Sequence, residues 1–266
     1  MKNTGLAIWV MTVFVVVVCS GLPKAGATVN FNDGGQHIID YAIYDDVYVD
    51  YRKPDTGTQV ELVFGGSIYN LIAYENSQVA VSGGEVVHGL KAYDNSYISI
   101  SAGEVYDLKS CDNSRVTVSG GVIGYSLWAY NSSQVTVSGG DIRYWLGALE
   151  DSRITVSGGK IGYGIYAGNP PRWDMSIITF LGINFAVNGK PVAYGDFASD
   201  YAVPGTEPGG DYCLTGRLTG TLADGGTLNK KFYIFDDADV TFAIPEPATL
   251  LLLGLGGLTV LRKRKS

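Results

Sequence analysis

Between residues 64 and 168, apolar and polar positions alternate in short bursts that return at a fixed interval. Val79/Val81, Ile98/Ile100, Val116/Val118, Val135/Val137 and Ile154/Val156 are β-branched pairs split by one polar or small residue, the period of two that belongs to strands. A second set of pairs runs Leu71/Ala73, Leu90/Ala92, Leu108/Ser110, Leu127/Ala129, Leu146/Ala148 and Ile165/Ala167, and a third is centred on Ile68, Val86, Val105, Ile123, Ile142 and Ile161. Each unit carries a step at Ser82-Gly83-Gly84, Ser101-Ala102-Gly103, Ser119-Gly120-Gly121, Ser138-Gly139-Gly140 or Ser157-Gly158-Gly159, with starts 19, 18, 19 and 19 residues apart. A blurred copy sits at Phe64-Gly65-Gly66. A fixed period near 20 residues marks a solenoid. Three short strands per unit leave no room for a helix, so the expected coil is triangular, each stacked about 4.8 Å from the last. The expected fold is all-β, a right-handed parallel β-helix of six or seven coils, its hand following the rule for parallel crossovers.

Stacking places like residues above like. Ser77, Ser96, Ser114, Ser133 and Ser152 form one column, and Asn76, Asn95, Asn113, Ser132 and Asp151 another. Such residues suit tight corners because their side chains bond nearby backbone and Asn tolerates the left-handed region, while the Gly pair supplies positive φ. The repeat body covers 64–171. Residues 28–63, with alternation at Tyr41 to Tyr44 and Val47 to Val49, read as an N-terminal cap or degenerate coils that cover the open core. After Asn169-Pro170-Pro171 stops the phase, residues 172–243 read as a final coil at Ile177 to Gly182 and a C-terminal β cap. In that cap Leu214–Leu222 and Phe232–Phe235 flank a turn at Ala223-Asp224-Gly225-Gly226.

Both ends carry export chemistry. Residues 1–27 have a basic start at Lys2, an apolar run from Leu6 to Val18 and a small-x-small step at Ala25 and Ala27, the pattern of a signal peptide cut before Thr28. Cys19 raises a lipoprotein alternative, which Val18 disfavours because a small residue belongs there. After cleavage only Cys111 and Cys213 remain; a disulfide suits an oxidising compartment, but nothing in their spacing supports a pair. At the other end Pro245, Glu246 and Pro247 precede an apolar run from Ala248 to Leu261 and a basic tail of Arg262, Lys263, Arg264 and Lys265. The run is short for a full span of about 20 residues; counting from Ile244 and snorkelling by the tail narrow the gap. The four cations belong on the cytoplasmic side, with the body outside. This order of parts in segment 244–266 closely resembles the PEP-CTERM sorting signal. The resemblance implies recognition at Pro245-Glu246-Pro247 by an exosortase, a membrane transpeptidase-like protease, in a bacterium that makes exopolysaccharide. The plainer alternative is an anchor that is never cut.

Composition narrows the chemistry. A net charge of −7, with charged residues only 17% of the chain, argues against binding nucleic acid, which needs basic patches. No His/Cys metal cluster or Ser nucleophile motif stands out, and no cofactor is called for. Of the two His, His37 lies in the entrance and His88 replaces Tyr in a column. Glu75, Asp94, Asp112, Asn131 and Glu150 form one acid column; Glu85, Glu104, Val122, Asp141 and Lys160 form a second. Neighbouring acids about 5 Å apart offer oxygens to Ca2+ or an acid/base pair, against a plainer solvated corner repeated in every coil. Tyr69, Tyr106, Tyr125, Tyr144 and Tyr163, with His88, would form an aromatic ladder; Tyr74, Tyr93 and Tyr130 would form part of another, with Trp128 and Trp145 nearby. Exposed rings can stack on sugar faces, or the rings simply pack on one another. The leading expectation is a non-catalytic, exported surface or matrix protein, tethered to the membrane through its C-terminus and associated with exopolysaccharide. A self-associating or protein-binding scaffold and a polysaccharide lyase or hydrolase are the alternatives.

Overall fold

The structure, a computed structural model, describes residues 28–52, 56–169, 175–235 and 237–244. The signal-peptide pattern with Ala25 and Ala27, and the segment from Pro245 to the basic tail, lie outside the described residues, as do Pro170 and Pro171. The first turn is β1 (Val29–Phe31), β2 (Gln36–Ile39) and β3 (Ala42–Val49); the second is β4 (Gln59–Leu62) and β5 (Ser67–Ala73). Then come β6 (Gln78–Val81) with β7 (Glu85–Ala92), β8 (Tyr97–Ile100) with β9 (Glu104–Ser110), and β10 (Arg115–Val118) with β11 (Val122–Ile123) and β12 (Leu127–Ala129). The next two turns are β13 (Gln134–Ile142) with β14 (Trp145–Ala148) and β15 (Arg153–Ile161) with β16 (Gly164–Ala167). That makes about seven turns of a parallel β-helix.

Three faces close each turn. On face A, Val60, Val79, Ile98, Val116, Val135, Ile154 and Ile178 lie in register, one per rung. On face B the register runs Ile43, Ile68, Val86, Val105, Ile123, Ile142 and Ile161. On face C it runs Val47, Leu71, Leu90, Leu108, Leu127, Leu146 and Ile165. Every one of these side chains is buried, and together they form one continuous core. The apolar columns read from the sequence are therefore the inner lining of the helix. Faces B and C are continuous strands in β5, β7 and β9, where the expected corner is only a register shift, as between Val86 and Gly89. Two corners are sharp and one is a bend.

Residues 28–63 are built as coil rather than as a separate lid, since β2 pairs parallel with β4 and β1 with β3. The C-terminal end differs more from expectation. β17 (Ile177–Val187) starts as the next rung of face A, then leaves the helix and pairs antiparallel with β20 (Tyr212–Leu222). Between them lie β18 (Lys190–Pro191), a 3-10 turn at Ala198–Tyr201 and β19 (Val203–Thr206). β20 and β21 (Thr227–Ile234) form the expected hairpin around the turn at 223–226. β21 also lies parallel on β16, and β22 (Asp239–Ala243) lies parallel on β17. The cap thus re-enters the solenoid and supplies its last rungs, with Phe232 beside Ile165 and Phe242 beside Phe180, all buried.

Candidate functional site

The corners come first because they decide which polar groups are free. The second Gly of each step has positive φ, from 67° at Gly84 to 87° at Gly159. The first position does not and holds Ala102 in one coil; at Gly120 and Gly139 closeness asks for Gly, since a Cβ would lie 2.2 Å from the Ser101 carbonyl oxygen and 2.3 Å from that of Ser119. The opposite corner corrects the sequence reading. The left-handed residues there are Glu75, Asp94, Asp112, Asn131 and Glu150, with φ between 52° and 63°, and not the Asn column that follows them. Their side chains have a vertical task. Asp94 accepts a hydrogen bond from the Glu75 backbone N–H at 3.2 Å, Asp112 from that of Asp94 at 3.3 Å, Asn131 from that of Asp112 at 3.3 Å and Glu150 from that of Asn131 at 3.0 Å. This acid column is a hydrogen-bond ladder along the corner. In the second acid column Glu104 pairs with Arg143 at 3.0 Å, both partly exposed. Among the described residues no group of three or more His, Cys, Asp or Glu is placed to hold a metal ion.

The Ser column points inward and is fully buried. Ser133 Oγ donates to the Ser110 carbonyl and accepts from the Tyr130 N–H; Ser152 Oγ donates to the Ala129 carbonyl and accepts from the Leu149 N–H. Among the described residues Ser77 and Ser96 hold buried hydroxyls with no partner. At the foot of the column Thr58 Oγ1 donates to the buried Asp50 carboxylate at 2.5 Å.

The expected single Tyr ladder forms as two stacks among the described residues, Tyr69 with His88 and Tyr106 through Tyr163, with the break at His88–Tyr106 where β7 and β9 shift register. Tyr69 stacks on His88 at 5.2 Å between centroids, Tyr106 on Tyr125 at 5.7 Å, Tyr125 on Tyr144 at 5.0 Å and Tyr144 on Tyr163 at 4.8 Å. Interplanar angles are 6–13° except for 30° at Tyr144–Tyr163. His88 Nδ1 lies 3.0 Å from Asn70 Oδ1, which orients its ring. Within each stack the rings turn their faces to one another, and Tyr69, Tyr106, Tyr125 and Tyr163 stay 43–49% exposed. Trp145 packs edge-on against Tyr144, Tyr163 and Tyr233, while Trp128 lies over Gly147, where a Cβ would be 2.0 Å from its ring. In the second column Tyr74 stacks on Tyr48 and on Tyr93, at 6.4 and 5.2 Å. Burial pushes the Tyr74 and Tyr130 hydroxyls up to about 12 and the Cys111 thiol up to about 11. Cys111 and Cys213 are free thiols.

Sequence reasoning missed the outer surface of face A. Gln78, Tyr97, Arg115 and Gln134 follow one another in register, one per rung. They line a shallow groove with Asn95, Asn113 and Ser132 from the neighbouring corner. The signal was present as the residue before each β-branched pair, but its chemistry varies from coil to coil, so it does not read as a column.

These columns define a parallel β-helix protein whose polar corners are structural. Comparison adds the sorting class: a family model for the PEP-CTERM protein-sorting motif matches residues 243–265. The chain carries that motif, which implies an exported, membrane-anchored precursor processed by exosortase, a membrane protease. No curated protein and no solved structure matches the chain. Among the described residues no helix is long and apolar enough to cross a membrane.

Proposed function

We propose that the chain is a non-catalytic surface or extracellular-matrix protein that associates with exopolysaccharide after export. The observation that carries this reading is the junction at the C-terminal end. The matched motif begins at Ala243, the last residue of the final rung, where it pairs with Leu181. A sorting segment joined to the end rung would hold one end of a rigid rod at the membrane and present its side faces outward. The absence of catalysis is inferred from the corners: the acid column repeats one hydrogen-bonding task in successive coils, whereas an active site needs one coil to differ. Mixing residues 28–243 with the producing cell's own exopolysaccharide on a sizing column tests both points. The protein should move into the polymer fraction, and the polymer should keep its length for a day. A shortened polymer would establish a lyase or hydrolase instead.

A second reading, self-association, has its own observation. Among the described residues β1 pairs only with β3 and β2 only with β4, so the first rungs keep an open edge, the kind of edge that recruits another strand. At the far end Gly195 N–H donates to the Phe242 carbonyl and Phe197 bridges Thr241, covering the last rung. Elution of residues 28–243 as a dimer without polymer would favour this reading.

A further inference from the structure

We infer that the groove on face A, lined by Gln78, Asn95, Tyr97, Asn113, Arg115 and Gln134, binds an extended acidic polysaccharide; this rests on the exopolysaccharide reading and assigns it a site and a chemical class. The groove is open to solvent and has a volume of about 660 Å3. It crosses four rungs, from Gln78 to Gln134, about 14 Å at the spacing of strands. Its length runs along the solenoid axis, as an extended polymer requires. Between the lining column and the next corner the outward positions are small, Ala80, Ser99, Thr117 and Thr136, which leaves the floor open.

The contrast with the other polar columns is decisive. In the acid corner Asp94, Asp112, Asn131 and Glu150 each commit an oxygen to a backbone N–H of the coil before, and the stacked Tyr rings turn faces to neighbouring rings. The groove spends almost nothing. Tyr97 is 41% exposed and has no ring partner among the described residues; its hydroxyl reaches only Thr117 Oγ1 at 3.4 Å. Arg115 takes part in none of the ion pairs found among the described residues, which are His37–Asp33, Lys109–Asp107 and Arg143–Glu104. A flat open ring, a free guanidinium and several amides are the groups that a sugar carboxylate and its hydroxyls would engage. Arg115 is the one formal charge lining the groove, and its planar fork matches a carboxylate in two parallel bonds. The net charge of −7 opposes approach from a distance, but salt screens that repulsion over about 8 Å at physiological ionic strength. At contact the guanidinium decides.

The test uses the full-length protein in detergent with polygalacturonate, dextran and the producing cell's own exopolysaccharide. Affinities are measured for wild type, Tyr97→Ala, Arg115→Gln, Arg115→Lys and Tyr125→Ala. Polygalacturonate should bind, Arg115→Gln should weaken it about tenfold, as loss of a charge-assisted bond does, and Arg115→Lys should recover part of that loss. Tyr97→Ala should weaken binding, and Tyr125→Ala, in the ladder, should leave it unchanged. Equal binding of dextran with no effect of Arg115→Gln would overturn the acidic assignment. Loss on Tyr125→Ala but not on the groove variants would overturn the site. If polygalacturonate does not bind, the inference fails: binding of the cell's own polymer would then leave the proposed function standing, and its absence would remove both.

Discussion

Asp112 holds a left-handed backbone, φ 58°, that would cost an ordinary residue about 1–2 kcal/mol, and it accepts a hydrogen bond from the Asp94 N–H that offsets part of that cost. Asn131 does the same in the next coil. The column therefore asks for a short acceptor that tolerates positive φ, and charge is incidental. Asp112→Asn should be nearly neutral in a urea melt, whereas Asp112→Ala, which keeps the strain and drops the acceptor, should cost about 1–2 kcal/mol. The buried serines make a matched comparison. Ser133→Ala removes a hydroxyl that joins the Tyr130 N–H to the Ser110 carbonyl and should cost about 1 kcal/mol. Ser96→Ala removes a buried hydroxyl without a partner and should be neutral or stabilising. Asp107 adds a pH effect. Burial raises its pKa against the opposing pull of Lys109, and its Oδ1 is buried without a partner among the described residues. The folded state therefore holds the proton more tightly than the unfolded chain, so stability falls as pH rises above the ordinary carboxylate value. Asp107→Asn should gain on wild type at pH 7 and lose that advantage at pH 3, as urea midpoints at the two values will show.

At the scale of strands and turns, the repeat was legible because it is written in the core. All three apolar columns lie in register as read, since β-branched pairs at a period of two can bury only one face and a slip of one residue would expose them. The stacked Tyr rings were legible for the same reason. Legibility ended where a residue's task depends on the coil beneath it. Nothing in Ser-Gly-Gly separates a Gly needed for positive φ from one needed for close approach. Nothing in Asp94 or Asp112 announces a bond to the preceding coil. The outer column Gln78, Tyr97, Arg115, Gln134 is hidden because its members share a position and not a chemistry. The return of β21 and β22 to the solenoid was hidden too, because the partners, β16 and β17, lie some 60 residues earlier. The hairpin signal at Asp224-Gly225 described their turn and not their destination. That return puts Phe242, 1% exposed, into the end of the core beside Phe180 and within 5.1 Å of Phe185. Phe242→Ala should cost about 3–5 kcal/mol. It should also speed amide exchange in β17 more than in β6, because the loss falls on the last rung.

Across the solenoid turns from β4 to β16 the strand pairing is one-dimensional: each turn pairs with the turn before and the turn after. Stability is then close to a sum of turns and of interfaces between neighbours, and a whole turn should be removable where a fraction of one is not. Deleting residues 96–113 tests this. It joins Asn95 to Ser114, reproducing the Asn-Ser step already present at Asn113-Ser114. Gln78 then meets Arg115, Val79 meets Val116, Leu90 meets Leu127 and Asp94 meets Asn131, so every apolar column stays like on like. Tyr93 comes to lie beside Tyr130, because the deleted turn carries the Cys111 that now interrupts that column. The shortened body should fold, keep its strand signal in circular dichroism and melt cooperatively, with stability lower by about 1–3 kcal/mol, the share of 18 residues in an ordinary domain. Deleting residues 96–104, half a turn, should abolish the cooperative melt, since it would bring face A of one coil onto face B of the next and break all three columns at once. A half-turn deletion that folds as well as the full-turn one would show that the columns do not set the register.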